Sequence, residues 1–498
     1  MTISELLSRA GIAIAPDPLS QDVLDATSTG VFYDSRAVVS GGIFVAIAGA
    51  CVNGTLFADD ARSRGAVLVL AEEKAPSVSR QQWICVPDAR AALAALAAAF
   101  HGDPSHALLV VGVTGTNGKT TTTYLIESIF EQAGVKTGRM SSITNRVAGG
   151  QPEQYAVRTT PEAPDVQAWL SSMRDRETRA CVMEVSSHAL ALRRVDQVRF
   201  AAAVFTNLTR DHLDFHGDMG RYFGAKARLF EMLPVGVPAV VNVDDARGRE
   251  LAKTVTRPVT YALNRNAEVT ASRIDLALDR TRMEVRTPRG TLHLESTLVG
   301  RTAAYNLVAA VATSVALDIS FRGIEEGVRA LAGVPGRMQK VTGPKDDVTV
   351  IVDFAHTDDA LRELLDAVRP LTPGNVLTVF GCGGDRDATK RPLMGAVVAR
   401  MSDRVFLTSD NPRSEQPLDI IADIECGLTS TQLPSAVIPD REEAISRAIQ
   451  EAAPGDVVVI AGKGHERYQE IGTRTLPFDD GAVARAALSK RRSSAQVG

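Results

Sequence analysis

A glycine-rich loop carrying a lysine and a threonine follows an apolar run in the first third of the chain. The run Ala107–Val113 is continuously apolar, which is typical of a strand buried on both faces of a parallel sheet. Glycines let the backbone turn and present N–H groups to an anion, and the positive end of a following helix adds attraction. The pattern predicts an ATP phosphate site, in which the lysine reaches the β- and γ-phosphates and Thr120 binds Mg²⁺. The predicted loop residues are Gly115, Thr116, Asn117, Gly118, Lys119, Thr120 and Thr121.

The helix expected after this loop is supported by its own pattern. Gly134 is a suitable end for it. The strict P-loop motif requires glycine at position 113, where this chain has Val113, so a chance Gly-Lys-Thr turn is the alternative. Strand, loop and helix agree, which favours phosphate binding. One apolar face of the helix would be formed by Leu125, Ile126, Ile129 and Phe130.

Acidic and histidine residues follow the next two apolar runs. Glu184 lies near the end of Ala180–Val185, where a carboxylate can hold a hard cation facing the phosphate loop, although it could equally be a surface acid. His212 lies in a loop rich in His and Asp that follows Ala201–Thr206. Such a loop seldom serves packing alone, although any one of its residues could be structural. Lys226, by its own pattern, reads as a solvated helix lysine.

Three polar loops follow three apolar runs in the last third of the chain. In an open α/β sheet the ligand loops lie at the carboxyl ends of the strands. Three such loops therefore indicate one pocket rather than three unrelated turns. The runs are Val376–Phe380, Val405–Thr408 and Val457–Ala461, and the loops are Gly381–Asp387, Asp410–Arg413 and Gly462–Glu466.

These motifs resemble those of the Mur ligase family. T-G-T-N-G-K-T-T at 114–121 is similar to the family's ATP loop, which the related folylpolyglutamate synthases share. M-E-V-S-S-H at 183–188 and D-F-A-H-T at 353–357 resemble further family motifs, and Y-D-S-R at 33–36 resembles the uridine-nucleotide domain. The chain departs from the family pattern at Asn53, Leu192, Phe354 and Asp358.

The resemblance implies roles for individual residues. Lys226 would be carbamylated, which turns a cation into an anion that can bind a metal; lysine suits this because its pKa shifts readily. The implied catalytic residues are Lys119, Lys226, Glu184 and His212, and the implied Mg²⁺ ligands are Thr120, Glu184, His212 and carbamylated Lys226. Further ATP contacts are implied for Asn306 at adenine, Arg337 at the phosphates and Asp353 at the ribose. Implied contacts to a UDP-muramoyl substrate are Ser35, Ala50, Cys51, Val52, Thr159, Thr160, Ser186 and Arg194.

D-N-P-R at 410–413 is the most specific signal for the incoming amino acid. In tripeptide-forming Mur ligases this motif implies meso-diaminopimelate. Arg413 can bind the second carboxylate of diaminopimelate in a two-pronged way, whereas lysine would bring an ammonium group towards it. The alternative is a surface arginine after a turn. The implied diaminopimelate site comprises Arg386, Asp410, Asn411, Pro412, Arg413, Gly462 and Glu466.

The elements that must position these residues predict an α/β fold of three domains. Breaks at Gly102–Ser105 and Gly333–Gly336 separate them. We expect a UDP-substrate-binding α/β domain over residues 1–104, with strands at Ile43–Ala48, Ala66–Ala71 and Trp83–Val86 and a helix at Ala89–Phe100. A central ATP-binding domain over 105–335 would have a P-loop ATPase-like parallel sheet, with a small antiparallel patch where apolar residues alternate from Ile274 to Leu294. A Rossmann-like amino-acid-binding domain would cover 336–498.

Composition limits the classes of function. The 498 residues carry 55 basic and 59 acidic side chains, a net charge of −4, and no block of like charge, which argues against a nucleic-acid or membrane surface. The five cysteines are scattered, which favours reduced thiols in a cytoplasmic protein. We see no signal peptide, and the apolar stretch Ala91–Phe100 is too short to span a bilayer, which needs about 20 residues. A monomer acting on small molecules is expected.

The resemblance implies an ATP-dependent ligase of peptidoglycan precursor synthesis. It would add meso-diaminopimelate to the D-glutamate γ-carboxylate of UDP-N-acetylmuramoyl-L-alanyl-D-glutamate through an acyl phosphate. The near alternatives are a lysine-adding Mur ligase and a folylpolyglutamate synthase. The alternative of another class is a P-loop NTPase switch that binds a protein partner, which would need no acceptor pocket on the third sheet.

Overall fold

The architecture of the chain is seen in a computed structural model, which describes residues 1–13, 19–49, 52–74, 80–148, 152–428 and 436–495. Three α/β units follow one another along the described residues, each built around its own sheet, and a two-stranded hairpin accompanies the third. The predicted α/β class with three units is therefore confirmed. Within the described ranges, no helix has the length and apolarity needed to cross a membrane.

The first unit is a four-stranded parallel sheet in the order β1-β2-β3-β4. Its long helix α4 begins after Asp88, whose carboxylate accepts the Ala91 N–H at 2.8 Å, and buries its alanine-rich face. The elements are β1 (Val31–Phe32), β2 (Gly42–Val45), β3 (Ala66–Ala71), β4 (Trp83–Cys85), α1 (Ile3–Arg9), α2 (Gln21–Asp25), α3 (Ala58–Ser63) and α4 (Ala89–Phe100).

The second unit has an eleven-stranded sheet in the order β15-β14-β13-β12-β11-β10-β5-β9-β6-β7-β8. Its strands are β5 (Leu109–Thr114), β6 (Thr137–Met140), β7 (Thr144–Arg146), β8 (Gln154–Tyr155), β9 (Ala180–Glu184), β10 (Phe200–Phe205), β11 (Ala239–Asn242), β12 (Pro258–Ala262), β13 (Val269–Leu276), β14 (Thr281–Thr287) and β15 (Gly290–Ser296). Its helices are α5 (Lys119–Gln132), α6 (Ala163–Asp175), α7 (Ser187–Ala191), α8 (Leu213–His216), α9 (Met219–Glu231), α10 (Ala246–Leu251), α11 (Arg301–Ala316) and α12 (Phe321–Ala330).

Strand β5 lies at the middle of this sheet, parallel to β10 on one side and β9 on the other. From Val110 to Thr114 its residues are buried on both faces, as the continuous apolar run predicted, whereas Leu109 at its start is exposed. Val111 and Val113 join the core that contains α5 and α11, whereas Val110 joins the core that contains α6 and α9. The phosphate loop therefore leaves the sheet from a central, buried strand.

The predicted antiparallel patch is present as β13, β14 and β15, with the expected turn between Thr287 and Gly290. It is not separate from the parallel sheet, because β13 pairs in parallel with β12 and continues it. Leu278, which the alternation placed in the first of these strands, lies beyond Leu276 and contacts the core of the third unit instead.

The third unit has a six-stranded sheet in the order β16-β17-β21-β18-β19-β20, in which only β16 is antiparallel to its neighbour. Its elements are β16 (Gln339–Lys340), β17 (Thr349–Asp353), β18 (Val376–Phe380), β19 (Arg404–Leu407), β20 (Ala436–Val437), β21 (Val457–Ala461), α13 (Asp358–Val368), α14 (Lys390–Met401), α15 (Pro417–Glu425), α16 (Arg441–Glu451) and α17 (Asp480–Ala495). The hairpin is β22 (Tyr468–Ile471) with β23 (Arg474–Pro477).

A buried ion pair ties together the loops at the carboxyl edge of this sheet. The Arg441 guanidinium is paired with Asp480 at 2.7 Å, and neither side chain is exposed. It also donates to the carbonyls of Ser409 at 3.3 Å and Ala461 at 2.9 Å, which stand just after β19 and at the end of β21. Because both loops share one buried cation, they are held in a fixed relative position.

Candidate active site between two sheet edges

The phosphate loop takes the shape that its glycines permit. Gly115 has φ 150° and Gly118 has φ 85°, values that L side chains rarely adopt. The loop is anchored to the end of β10, because Asn207 accepts the N–H groups of Thr116 and Asn117, each at 2.9 Å. Helix α5 begins at Lys119, directly after the loop, so its positive dipole end lies at the phosphate loop.

Two lysines converge on a single carbonyl of this loop. Lys119 Nζ donates to the Gly115 carbonyl at 3.0 Å, and Lys226 Nζ donates to the same oxygen at 2.6 Å. Lys226 is only 1% exposed, so its interpretation as a solvated helix lysine is wrong. Burial, and then the neighbouring Lys119, hold the pKa of the Lys226 amine well below its usual range. A neutral, nucleophilic amine is thus favoured at this position.

A chain of buried oxygen atoms connects α5 to β9. The Thr120 hydroxyl lies 3.1 Å from the Ser142 hydroxyl, which donates to Glu184 Oε1 at 3.1 Å; the Ser142 N–H donates to the same oxygen at 2.8 Å. Glu184 is 1% exposed, so it is not a surface acid. Hard oxygen donors of this kind fit Mg²⁺, which binds through few protein ligands and keeps several waters.

His212 begins α8 in a left-handed backbone conformation, with φ 53°. Its Nε2 lies 3.2 Å from the Asp211 carboxylate, and its ring meets the His188 ring edge-on at 4.7 Å. Burial lowers the pKa of His212, which favours the neutral imidazole that binds metals. Among the described residues, no group of three or more His, Cys, Asp or Glu side chains converges to hold a metal. The predicted Mg²⁺ site therefore stays a prediction. It requires carbamylation of Lys226, which would supply an anionic ligand beside Glu184 and His212.

The predicted UDP-substrate residues of the second unit lie together. The Thr160 hydroxyl donates to the Glu184 carbonyl at 2.9 Å and accepts the Ser186 N–H at 3.1 Å. Ser186 in turn caps α7. Arg194 donates to the Thr160 carbonyl at 3.1 Å and pairs with buried Glu162 at 2.8 Å. Thr159, next to Thr160, is half-buried.

The first unit reaches this cluster through Arg90. Arg90 Nη2 donates to the Ala48 carbonyl at 3.2 Å, and Nη1 lies 3.5 Å from Glu162. The turn that contains exposed Val52 is therefore near the Thr160 segment, because Ala48 pairs with Asn53 across it. Ser35 is buried in a short turn after β1. Ala50 and Cys51, the other two predicted contacts, lie outside the described residues.

The predicted ATP residues beyond the loop come from the second unit, the linker and the third unit. Asn306 on α11 is buried against the phosphate loop, since a Cβ added at Gly118 would lie 2.3 Å from its Oδ1. Arg337 donates to the Thr120 hydroxyl at 3.3 Å, which brings a cation to the loop. Asp353 accepts the N–H groups of Met338 at 2.7 Å and Ala355 at 2.8 Å, and burial raises its pKa. Asp353 thus braces the linker.

A lysine, an asparagine and a glutamate contact one another at the edge of the third sheet. Lys463 is fully buried and donates to Asn411 Oδ1 at 2.8 Å and to Glu466 Oε2 at 3.1 Å. Asn411 Nδ2 donates to the same Glu466 oxygen at 2.9 Å. The loops after β19 and β21 are thereby joined, as the shared sheet edge predicted.

Arg413 and its neighbours form the rest of this edge. Arg413 has φ 52° and donates from Nη1 to the Gly384 carbonyl at 2.7 Å. Gly462 lies so close to Asp410 that an added Cβ would be 2.6 Å from its carboxylate. Arg386 is exposed. Both arginines lie near Gly383: a Cβ added there would be 3.9 Å from Arg386 Cγ and 3.1 Å from Arg413 Nη1. Pro412 is buried, and its carbonyl packs against Gly384, where an added Cβ would lie 1.9 Å from it.

Sequence reasoning missed three site residues. Ser142 lies in a loop without a recognisable motif, and only the position of β6 brings it to Glu184. Lys463 was seen as part of a glycine-flanked turn, but its burial beside Glu466 depends on the fold. Glu470, on the hairpin, pairs with Arg413 at 2.8 Å, and a lone acid in a short strand carries no signal of that contact.

Comparisons with known proteins agree with this geometry. Family models match residues 27–101 (Mur ligase family, catalytic domain), 113–314 (Mur ligase middle domain) and 336–464 (Mur ligase, glutamate ligase domain). The UDP-N-acetylmuramoyl-L-alanyl-D-glutamate–2,6-diaminopimelate ligase of Solibacter usitatus is 45% identical, with 98% of each chain covered. The ligase of the same name from Gloeobacter violaceus is 45% identical, with 99% of each chain covered. A solved structure of a ligase of that name is 33% identical, covers 99% of each chain and superposes with a TM-score of 0.70.

The oxygen chain predicts a metal-specific defect when Ser142 is replaced by alanine. The change removes one oxygen from the set between Thr120 and Glu184. Loss of one hydrogen bond to a charged group should weaken Mg²⁺-nucleotide binding roughly tenfold. Isothermal titration with ATP analogues, with and without Mg²⁺, measures this effect. Ser489→Ala, at an exposed serine on α17, is the control. An equal loss of affinity with and without the metal would contradict the assignment.

Proposed function

The chain belongs to the Mur ligase family, and we propose that it joins meso-diaminopimelate to the D-glutamate γ-carboxylate of UDP-N-acetylmuramoyl-L-alanyl-D-glutamate, with conversion of ATP to ADP and phosphate. The observation that carries this proposal is the position of Arg413. It lies between the loop after β18 and the β22–β23 hairpin, with its guanidinium held at the Gly384 carbonyl and paired with Glu470. Relatives that match nearly the whole chain carry the name of a 2,6-diaminopimelate ligase, which supports the same acceptor.

The first step is proposed to take place at the phosphate loop. The D-glutamate γ-carboxylate attacks the γ-phosphorus of ATP, the bond to the β-phosphate oxygen breaks, and an acyl phosphate and ADP form. Lys119 and Arg337, which both lie at the loop, would neutralise the charge that builds up on the transferred phosphoryl group. Asn306 and Asp353 would hold the adenine and the ribose. The remaining loop residues, from Gly115 to Thr121, would hold the phosphates through their backbone.

The second step forms the amide bond. An amine of diaminopimelate attacks the acyl carbon, a tetrahedral intermediate forms, and phosphate leaves while the nitrogen loses a proton. The chain contributes mainly position, because the acyl phosphate and the amine must meet across the cleft. Closure of the cleft would also exclude water, which otherwise hydrolyses the acyl phosphate.

Mg²⁺ is proposed to bind at Thr120, Glu184, His212 and carbamylated Lys226. When bound, it would screen the negative charge of the phosphates. The buried oxygen chain through Ser142 supports one part of this site. The lowered pKa and complete burial of Lys226 support the other, since only a neutral amine combines with carbon dioxide.

The UDP-muramoyl substrate is proposed to lie between the first two units. Thr159, Thr160, Ser186 and Arg194 would contact its muramoyl-peptide part, and Ser35 with residues 50–52 would contact the nucleotide. Arg90 links the two sets, which supports a single continuous site. We assign residues 1–104, 105–335 and 336–498 to the UDP-substrate, ATP and amino-acid domains. Because ATP and UDP-linked substrates are cytoplasmic, we place the enzyme there, as a monomer.

A ligation assay tests this proposal. Wild-type protein should release phosphate only when ATP, the UDP-dipeptide and a diamino acid are all present, and it should prefer meso-diaminopimelate to lysine in competition. Arg413→Ala should lower kcat/KM for diaminopimelate on the order of a hundredfold, because a charge-assisted contact to the distal carboxylate is lost. The rate with lysine should change far less. Arg400→Ala, an exposed arginine on α14, is the control.

Two outcomes of this assay would contradict the proposal. Phosphate release that does not depend on the UDP-dipeptide would indicate a different acceptor. An Arg413→Ala protein as selective as wild type would remove diaminopimelate as the assigned amino acid.

Carbamylation of Lys226 gives a second prediction. Protein equilibrated with ¹³C-bicarbonate near neutral pH should show a carbamate signal in ¹³C NMR, because the pKa of this amine is lowered and its neutral form is available. Acidification through that pKa should remove the signal. Lys226→Arg should abolish it, whereas Lys253→Arg, at an exposed lysine, should retain it. An undiminished signal from Lys226→Arg would assign the carbamate elsewhere.

A further inference from the structure

We propose that Glu470 is a positioning residue for acceptor recognition: its carboxylate holds the Arg413 guanidinium in the orientation that receives the distal carboxylate of the amino acid. The inference rests on the proposed function, since it concerns the same site. Glu470 lies outside the polar loops that the sequence identified, on the first strand of the β22–β23 hairpin.

The hairpin is fixed to the Arg413 loop by backbone contacts. The Arg413 N–H donates to the Glu470 carbonyl at 3.1 Å, and the Gly472 N–H donates to the Arg413 carbonyl at 2.8 Å. Buried Gln469 donates from Nε2 to the Asp410 carbonyl at 2.8 Å. The loop is therefore paired with the hairpin nearly as one strand is with another, and Glu470 cannot drift relative to Arg413.

The side-chain contact restricts the guanidinium itself. Arg413 Nε donates to Glu470 Oε2 at 2.8 Å, and Nη1 donates to the Gly384 carbonyl at 2.7 Å. An arginine has five N–H donors, so these two contacts with described residues leave three, on Nη1 and Nη2. Those donors lie at the end of the guanidinium and can form the two-pronged contact with a carboxylate.

Glu470 is also connected to the rest of the acceptor site. Its N–H donates to Asn411 Oδ1 at 3.0 Å, the same oxygen that accepts from Lys463 Nζ. Glu466 accepts from the other end of the Asn411 amide. Asn411 therefore links the hairpin to Lys463 and Glu466 after β21. Because Glu470 is held in this way, its carboxylate holds the Arg413 guanidinium in a fixed orientation.

Two effects of Glu470 on acceptor binding oppose each other. Its negative charge partly neutralises Arg413 and repels a substrate carboxylate. Its hydrogen bond restricts the rotamers of Arg413 before the substrate binds, so binding loses less side-chain entropy. Both side chains are partly exposed, 22% for Arg413 and 34% for Glu470, so solvent weakens the charge effect. We therefore expect preorganisation to be the larger effect, and loss of Glu470 to weaken acceptor binding.

The test compares Glu470→Ala and Glu470→Gln with wild type in the ligation assay. Glu470→Ala should raise the KM for meso-diaminopimelate about tenfold, with kcat and the KM values for ATP and the UDP-dipeptide within about twofold. Glu470→Gln keeps an oxygen that can accept from Arg413 Nε, so it should recover most of the affinity. The rate with lysine, which has no distal carboxylate, should not change. Thr475→Ala, at the cross-strand partner of Glu470, is the matched control.

A double variant separates positioning from a general structural role. In an Arg413→Ala background, Glu470→Ala should add less than about a twofold effect, because the residue acts through Arg413. The inference would be overturned if Glu470→Ala weakened acceptor binding equally in both backgrounds. It would also be overturned if a Glu470→Ala protein with wild-type thermal stability had an unchanged or lower KM for meso-diaminopimelate. Wild-type protein that ignores diaminopimelate would overturn the proposed function and, with it, this inference. Wild-type selectivity with no effect at Glu470 would overturn the inference alone.

Discussion

The contact between Gly336 and the backbone of Gly464 and His465 fixes the linker from which Arg337 reaches the phosphate loop. A Cβ added at Gly336 would lie 2.1 Å from the His465 nitrogen and 2.3 Å from the Gly464 carbonyl carbon, so no other residue fits without displacing backbone. The linker is further held by the Phe354 N–H, which donates to the Gly336 carbonyl at 3.0 Å. This close approach places Arg337 against Thr120, and it brings His465 towards Ser142. The loop after β21 and the phosphate loop therefore both contact this linker.

The positive side chains at the phosphate loop suit a reaction between two anions, the substrate carboxylate and ATP. On the phosphate side two lysines share the Gly115 carbonyl, an arrangement that is tolerable only if one of them is neutral or modified. Carbamylation of Lys226 would convert this repulsion into attraction and add an anion for Mg²⁺. On the acceptor side two ion pairs form, Lys463 with Glu466 and Arg413 with Glu470. Binding of a zwitterionic amino acid there adds to existing ion pairs and does not bury isolated charges.

Much of the fold could be predicted from the sequence because apolar periodicity is strong where strands are central. The runs at Ala66–Ala71, Val376–Phe380 and Val457–Ala461 coincide with strands. Strand β6 was missed because Thr137 and Arg139 interrupt its apolar pattern; both are buried, and Arg139 is satisfied by an ion pair with Glu127. Such compensation depends on a tertiary partner, which no local pattern reveals.

The site could be predicted where residues stand in a motif at a strand end, as Lys119, Glu184 and Arg413 do. It could not be predicted where the neighbours of those residues come from other elements. The lowered pKa of Lys226 arises from its burial beneath the phosphate loop, whereas its own segment suggested a solvated side chain. The orientation of Arg413 arises from a hairpin that begins 55 residues later.

The most direct test of this account is the turnover number of Gly336→Ala in the ligation assay, compared with Gly343→Ala. Gly343 lies in the same part of the chain, and a Cβ there would meet only the Asp346 side chain, at 3.8 Å. We predict that Gly336→Ala lowers kcat on the order of a hundredfold, because it displaces Arg337 and the acceptor loops relative to the phosphate loop. Gly343→Ala should stay within about twofold of wild type. A folded Gly336→Ala protein with wild-type turnover would contradict the claim that this contact assembles the cleft.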